Sequence, residues 1–149
     1  MEVTGTAEAI LATKGRNVYW VSPEATVYLA IEQLADRNVG CLLVMENGRL
    51  IGVFSERDYT RKVALLGRSS RETTVREVIT GRRIVVTSAT PITECMRIMT
   101  EQRIRHLPVI DEEDVIGVIS IGDLVNYIMN AQRAAIEQLQ SYISGGYPG

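Results

Sequence analysis

The sequence predicts an α/β (α+β) fold: two tandem βαββα repeats packed about a pseudo-twofold axis, followed by an extended C-terminal helix. Three observations predict it. First, Ile51-Gly52-Val53-Phe54-Ser55-Glu56-Arg57-Asp58 aligns with Ile116-Gly117-Val118-Ile119-Ser120-Ile121-Gly122-Asp123 at a constant offset of 65 residues, and the match runs ungapped over roughly forty residues. Second, within each copy the apolar period switches between the two-residue spacing of strands and the 3.6-residue spacing of helices. Third, a single unit of about 60 residues buries a marginal core, so two must share one.

The elements follow in order. Thr6-Ala7-Glu8-Ala9-Ile10-Leu11 resembles Thr74-Val75-Arg76-Glu77-Val78-Ile79, a short helix at the head of each copy; its offset of 68 implies a three-residue length difference in the connecting loop. Val18–Val21 and Ile84–Thr87 read as short strands rich in β-branched or aromatic residues. Pro23 breaks the first, and Thr90-Pro91 offers a cap with Pro at the first helical position. Val27, Ile31, Leu34 and Ala35, like Ile92, Met96 and Met99, recur at helical spacing. Cys41–Met45 and Leu50–Phe54 form a hairpin across Asn47-Gly48, a strong two-residue turn signal, and Asp111–Asp114 turn the second hairpin. A helix is expected from about Asp58 toward Leu66. The polar stretch Gly67–Thr73 reads as a linker. The expected organisation is a first repeat with its N-terminal helix over 1–66, a linker over 67–73, a second repeat over 74–130, and a C-terminal helix and tail over 131–149. Leu124, Val125, Ile128, Met129, Ala135, Ile136, Leu139, Tyr142 and Ile143 give the last helix an apolar stripe. That stripe suits a second subunit in a twofold dimer, or it folds back on its own chain.

Composition narrows the function. Of 149 residues, 46% are apolar and 23% charged, the balance of a folded soluble domain. A net charge of −2 argues against a nucleic-acid groove, which needs an excess of cations. No apolar run reaches the length of a membrane span, and Met1–Leu11 lacks the pattern of a secretory signal. Cys41 and Cys95 sit in apolar segments without metal-ligand spacing, as expected of reduced thiols in a cytoplasmic protein. There is no Walker loop, no nucleophile-and-base set and no His/Cys/carboxylate cluster, so no enzyme is expected.

The repeated Gly-x-x-Ser-x-x-Asp carries the chemistry. A carboxylate accepts two hydrogen bonds side by side, which suits the adjacent hydroxyls of a ribose, and a serine at a helix start suits a phosphate. Ser-x-x-Asp is equally a capping box, and both readings can hold together in the empty protein. The copies differ in their basic residues. Arg57 aligns with Gly122, and Gly40-Cys41 align with Arg105-His106. Across a pseudo-twofold axis Arg57 is expected to reach the Asp123 site and, with Arg105 and His106, to ring one phosphate region, giving two unequal sites. His106 also fits a core or loop role.

With Arg105-His106-Leu107-Pro108-Val109-Ile110-Asp111, the two aligned Gly-x-x-Ser-x-x-Asp segments and Val39–Val44, the chain resembles the cystathionine-β-synthase (CBS) domain family in its tandem form, the Bateman module. Ser55–Tyr59, Gly67–Ser70 and Tyr142-Ile143-Ser144-Gly145 resemble stand-alone CBS-pair proteins of bacteria and plant organelles. The resemblance covers about residues 6–130. It implies a non-catalytic regulatory module that binds an adenine nucleotide (AMP, ADP, ATP, NAD or S-adenosylmethionine) in clefts between the repeats and signals to an effector protein. By the family pattern Asp58 and Asp123 hold the ribose, and Ser55 and Ser120 hold phosphate. Adenine lies between the first two strands, at Val21-Ser22 and Val39-Gly40 in one copy and Val86-Thr87 and Ile104-Arg105 in the other. No further cofactor is implied. The rival reading is a dimeric scaffold with vestigial clefts whose C-terminal helix does the binding; catalysis or RNA binding is the remainder.

Overall fold

The computed structural model describes residues 3–79 and 83–143. The element order is α1 (Ala7–Lys14), β1 (Trp20–Val21), α2 (Val27–Arg37), β2 (Cys41–Glu46), β3 (Arg49–Ser55), α3 (Glu56–Tyr59) with a π-helical turn over Thr60–Ala64, α4 (Val75–Val78), α5 (Ile92–Gln102), β4 (His106–Asp111), β5 (Asp114–Ser120) and α6 (Ile121–Ile143). The repeat is kept in backbone detail. β2 and β3 pair antiparallel from Cys41↔Ser55, and β4 and β5 from His106↔Ser120, with a bulge after Val44 in one and after Val109 in the other. α2 and α5 both end on a left-handed residue, Asn38 and Arg103, each at φ 54°. The hairpins turn through Asn47-Gly48 and Glu112-Glu113, all four at positive φ, as a two-residue turn matched to strand twist requires.

Three boundaries differ from expectation. The first-copy helix starts at Glu56 with Ser55 as its cap, so Asp58 is its third residue. α5 starts at Ile92 behind Pro91, because the Thr90 hydroxyl accepts from the Thr87 N–H at 3.0 Å instead. The strand expected at Ile84–Thr87 shrinks to a single parallel bridge, Val86↔Val109, whereas Trp20–Val21 pair with Leu43–Val44.

The short helices trade places. Ala7 and Glu8 donate to the carbonyls of Thr90 and Ser88 at 2.9 and 3.0 Å, tying α1 to the second repeat. Val75 and Arg76 donate to Ala25 and Pro23, both at 2.9 Å, tying α4 to the first. The cores follow this exchange. Ile10 and Leu11 are buried with Val86, Ile92, Leu107 and Ile119, while Val75 and Val78 are buried with Val27, Leu42 and Phe54. Burying each such side chain contributes about 1.5–3 kcal/mol, so α1 belongs energetically to the repeat farther along the chain. Leu43, Leu50 and Ile110 form a third apolar cluster with residues of both hairpins, which closes the seam between the repeats.

α6 does not fold back. Leu124 is buried, but Ile121, Val125, Met129, Ile136, Leu139 and Tyr142 are exposed. Ser144 and Gly145 lie outside the described residues. Among those described, no helix is long and apolar enough to cross a membrane.

Candidate functional site

The seam opens on one side into a cleft of about 530 Å³. Its first-repeat wall comes from the end of β3 and the start of α3, because a strand running straight into a capped helix exposes the residues at the junction. Ser55 caps α3: its hydroxyl accepts from the Asp58 N–H at 3.3 Å, and Asp58 Oδ2 accepts from the Ser55 N–H at 2.9 Å. The Ser55 hydroxyl also donates to Oδ2 at 3.1 Å. Asp58 Oδ1 is 3.6 Å from Lys62 Nζ. The capping box is therefore real, and it presents a quarter-exposed carboxylate to the cleft rather than to bulk water.

The opposite wall belongs to the second repeat: Arg83, Ile84, Arg103, Ile104, Arg105, His106 and Pro108. Arg57 crosses the seam, its Nη1 donating to the Arg103 carbonyl at 3.3 Å. That is the reach expected from the sequence, but its destination differs, since Arg57 lines the cleft of its own Asp58 and Asp123 does not line that cleft. What Arg57 reaches is Arg103, the residue that caps the end of α5. His106 sits beside Gly40, where a Cβ would stand 3.2 Å from Nε2. Burial lowers the His106 pKa, helped by Lys14 and Arg105 and opposed by Asp123 and Asp58. Cys41, at the equivalent position of the first repeat, is a half-buried thiol pushed up to about 12 by desolvation.

The second copy of the motif is built alike and occupied from within. Asp123 Oδ2 accepts from the Ser120 N–H at 2.8 Å, and the Asp123 N–H donates to the Ser120 hydroxyl at 3.1 Å. Lys14, at the end of the exchanged α1, donates to Asp123 Oδ2 at 2.6 Å and to the Val118 carbonyl at 2.8 Å. Burial alone would raise the Asp123 carboxyl, but the Lys14 ammonium and the Ser120 N–H hold it below the usual carboxylate value.

Of the residues singled out from sequence, Ser55, Arg57, Asp58, Gly40, Ile104, Arg105 and His106 share the cleft. Asp123 and Ser120 lie apart from it with Lys14. Val21 and Val86 are core residues and Val39 packs against the first core, while Thr87 is exposed in a turn closed by Thr90. Sequence reasoning missed Arg61 and Lys62, although both follow Asp58 at the three- and four-residue spacing of one helix face. It also missed Arg83, Ile84 and Arg103, which no local signal connects to the motif. Among the described residues no group of His, Cys, Asp and Glu could hold a metal ion.

The CBS-domain family model matches twice, over residues 10–65 and 75–130. The chain belongs to the CBS-domain family. It is a tandem CBS pair, the regulatory module in which such repeats occur. It is 38% identical, over 95% of its length and 73% of the relative's, to a mitochondrial CBS domain-containing protein of Arabidopsis thaliana. A putative signal-transduction protein with CBS domains from Burkholderia ambifaria superposes with a TM-score of 0.82 at 44% identity, covering 85% of this chain and 96% of that one. A CBS pair solved with 5′-methylthioadenosine and S-adenosyl-L-methionine shares the fold at 19% identity and a TM-score of 0.74, covering 86% of this chain and 98% of that one.

Proposed function

We propose that the protein is a non-catalytic sensor that binds one adenine nucleotide in the Asp58 cleft and passes its occupancy to an effector protein. The observation carrying this reading is the seam itself: Ser55 and Asp58 of one CBS repeat face Ile104, Arg105 and His106 of the other across a cavity of about 530 Å³, a volume suited to a small ligand. In this reading Asp58 accepts the ribose hydroxyls, the backbone near Gly40 and Ile104 borders the base, and Arg57, Arg105 and His106 meet phosphate. Ser55 supports Asp58 and is available to phosphate on the same face. The adenosine ligands of the CBS pair named above support that ligand class. Because both repeats build the cleft, a ligand that prefers one relative orientation shifts it; equal affinity for both shifts nothing.

Binding to the folded state alone stabilises it by about 2.7 kcal/mol at a hundredfold excess over Kd, so a thermal-shift series with AMP, ADP, ATP and NAD is the direct test. Expected is a shift with the wild type that disappears in Asp58→Asn, whose amide oxygen still accepts from the Ser55 N–H. No shift with any nucleotide overturns the proposal.

The scaffold reading rests on the exposed stripe from Ile121 to Tyr142 on α6, which fits a homodimer interface. It predicts partner binding that is unchanged by Asp58→Asn. The two free thiols fit the reducing cytoplasm, and equally the matrix suggested by the mitochondrial relative.

A further inference from the structure

The Asp58 cleft gathers six cations on one concave surface. Outside it, Arg16 pairs with Glu8, Arg68 with Glu77, Arg76 with Glu24 and Glu46, and Arg97 with Glu94 and Glu101. Arg37 and Arg71 stack on Tyr19 and Tyr28, and Arg49 and Arg133 have no ion-pair partner among the described residues. Inside it, Lys62 is matched by Asp58 and Arg83 by Glu113, at 3.6 and 3.7 Å. The remaining four, Arg57, Arg61, Arg103 and Arg105, line the same cavity and have no ion-pair partner among the described residues. Their mutual repulsion shows in Arg57, whose pKa is lowered first by Arg61, then by burial and Arg105. Against these six cations the lining sets two carboxylates, Glu56 and Asp58. A chain with net charge −2 thus holds an excess of positive charge in one concavity, where like charge is unfavourable until an anion arrives.

We infer that the cleft selects its adenosine ligand by the charge of the tail, preferring two or three phosphates to one, one to an uncharged adenosine, and any of these to a sulfonium-bearing one. The inference rests on the adenosine reading above and sharpens it. A monophosphate carries roughly two negative charges and answers half of the four unpaired guanidinium groups; a longer tail answers the rest, with the forked contacts that arginine makes to phosphate. The sulfonium of S-adenosylmethionine meets the same field with the wrong sign.

The test is calorimetric titration of the full chain, without divalent cations, against ATP, ADP, AMP, 5′-methylthioadenosine, S-adenosylmethionine and inorganic tripolyphosphate. Expected is a ladder falling by about tenfold per phosphate removed, steepest at low salt, with S-adenosylmethionine last. Arg61→Gln with Arg103→Gln, both at exposed positions, flattens the ladder while 5′-methylthioadenosine binds as before. Equal affinity for ATP, AMP and 5′-methylthioadenosine overturns the tail selection and leaves the adenosine reading standing. Tripolyphosphate matching ATP, or no binding by any probe, overturns both.

Discussion

The two halves of this molecule share backbone registers, bulges and capping boxes at the repeat offset, yet their two carboxylates have different company. Asp58 faces a cavity ringed by cations from both repeats, with the nearest ammonium, Lys62, 3.6 Å away. Asp123 already holds an ammonium at 2.6 Å, supplied by Lys14 of the exchanged helix. The difference begins with the exchanged helices: α1 runs eight residues and ends on Lys14, whereas α4 stops after four, at Val78. The helix continuing past each motif differs as well: a π turn over Thr60–Ala64 carries Arg61 and Lys62 beside the first cleft, whereas α6 runs on unbroken through the equivalent residues. Duplication copies a scaffold; the ligand chemistry lies in the few positions where the copies diverge.

Breaking the two carboxylates separately is the strongest probe of that difference. Asp58→Asn is expected to weaken nucleotide binding by about a hundredfold or more, the loss of two charge-assisted hydrogen bonds to the ribose. Asp123→Asn is expected to leave the affinity of the Asp58 cleft within about twofold, since the two carboxylates have no hydrogen-bond partner in common and are linked through the field at His106. Calorimetry on the two variants checks both, and equal losses would erase the asymmetry.

The next effect is on the packing that delivers Lys14. At Gly117 an added Cβ would lie 2.5 Å from Leu11 Cδ2, and Leu11 is buried. Gly117→Ala is therefore expected to cost about 1–3 kcal/mol of stability, the usual cost of overpacking, with α1 displaced from the second repeat. Urea unfolding gives the loss, and hydrogen exchange confined to α1 locates it. A neutral Gly117→Ala would show that Leu11 moves aside without strain.

How much of this was readable from residues follows the range of each interaction. The hairpin turn at Asn47-Gly48, the helical stripes and the paired Gly-x-x-Ser-x-x-Asp are local, and duplication at a fixed offset made them stand out. The seven singled-out residues that line the cleft lie on or beside that motif or its facing loop. The exchange of α1 and α4 was not readable, because Ile10 and Val75 look the same from either core and only the three-dimensional path of the linkers decides between them. Lys14 was missed for that reason, more than a hundred residues from its partner Asp123. The destination of Arg57 depended likewise on which wall of the seam α3 faces.

Removing Lys14 is a smaller perturbation with a distinct readout. Its ion pair is partly exposed, with 35% and 20% of the two side chains accessible, so screening limits its worth to about 1 kcal/mol or less. The folded Asp123 pKa is lowered, so this contribution is complete above the unfolded value of about 3.9 and disappears as pH falls through the folded value. In Lys14→Ala the stability between those limits shrinks, and the freed carboxylate becomes available to ribose. Expected is a rise in calorimetric stoichiometry from one nucleotide per chain toward two, the second weaker because Gly122 stands where the first copy has Arg57. A stoichiometry unchanged at one would mean that more than Lys14 closes that half.

The smallest expected effect concerns His106, the single histidine of the chain, which has Cys41 as its counterpart in the other repeat. Its pKa is lowered in the folded protein, chiefly by burial. The unfolded chain therefore binds more protons between the two values, and stability rises with pH across that window and is complete above about 6.5. An anion in the cleft favours the imidazolium and raises the same pKa, so binding takes up a fraction of a proton and strengthens as pH falls. Nucleotide phosphate gains its own proton near pH 6, which acts the other way. The decisive quantity is thus the difference between wild type and His106→Gln, expected to reach about fivefold at most, the worth of one partly screened charge pair. Titrating the lone imidazole by NMR with and without ATP reads the shift directly. Identical titrations in the two states would remove His106 from the phosphate and leave it packed against Gly40 as a structural ring.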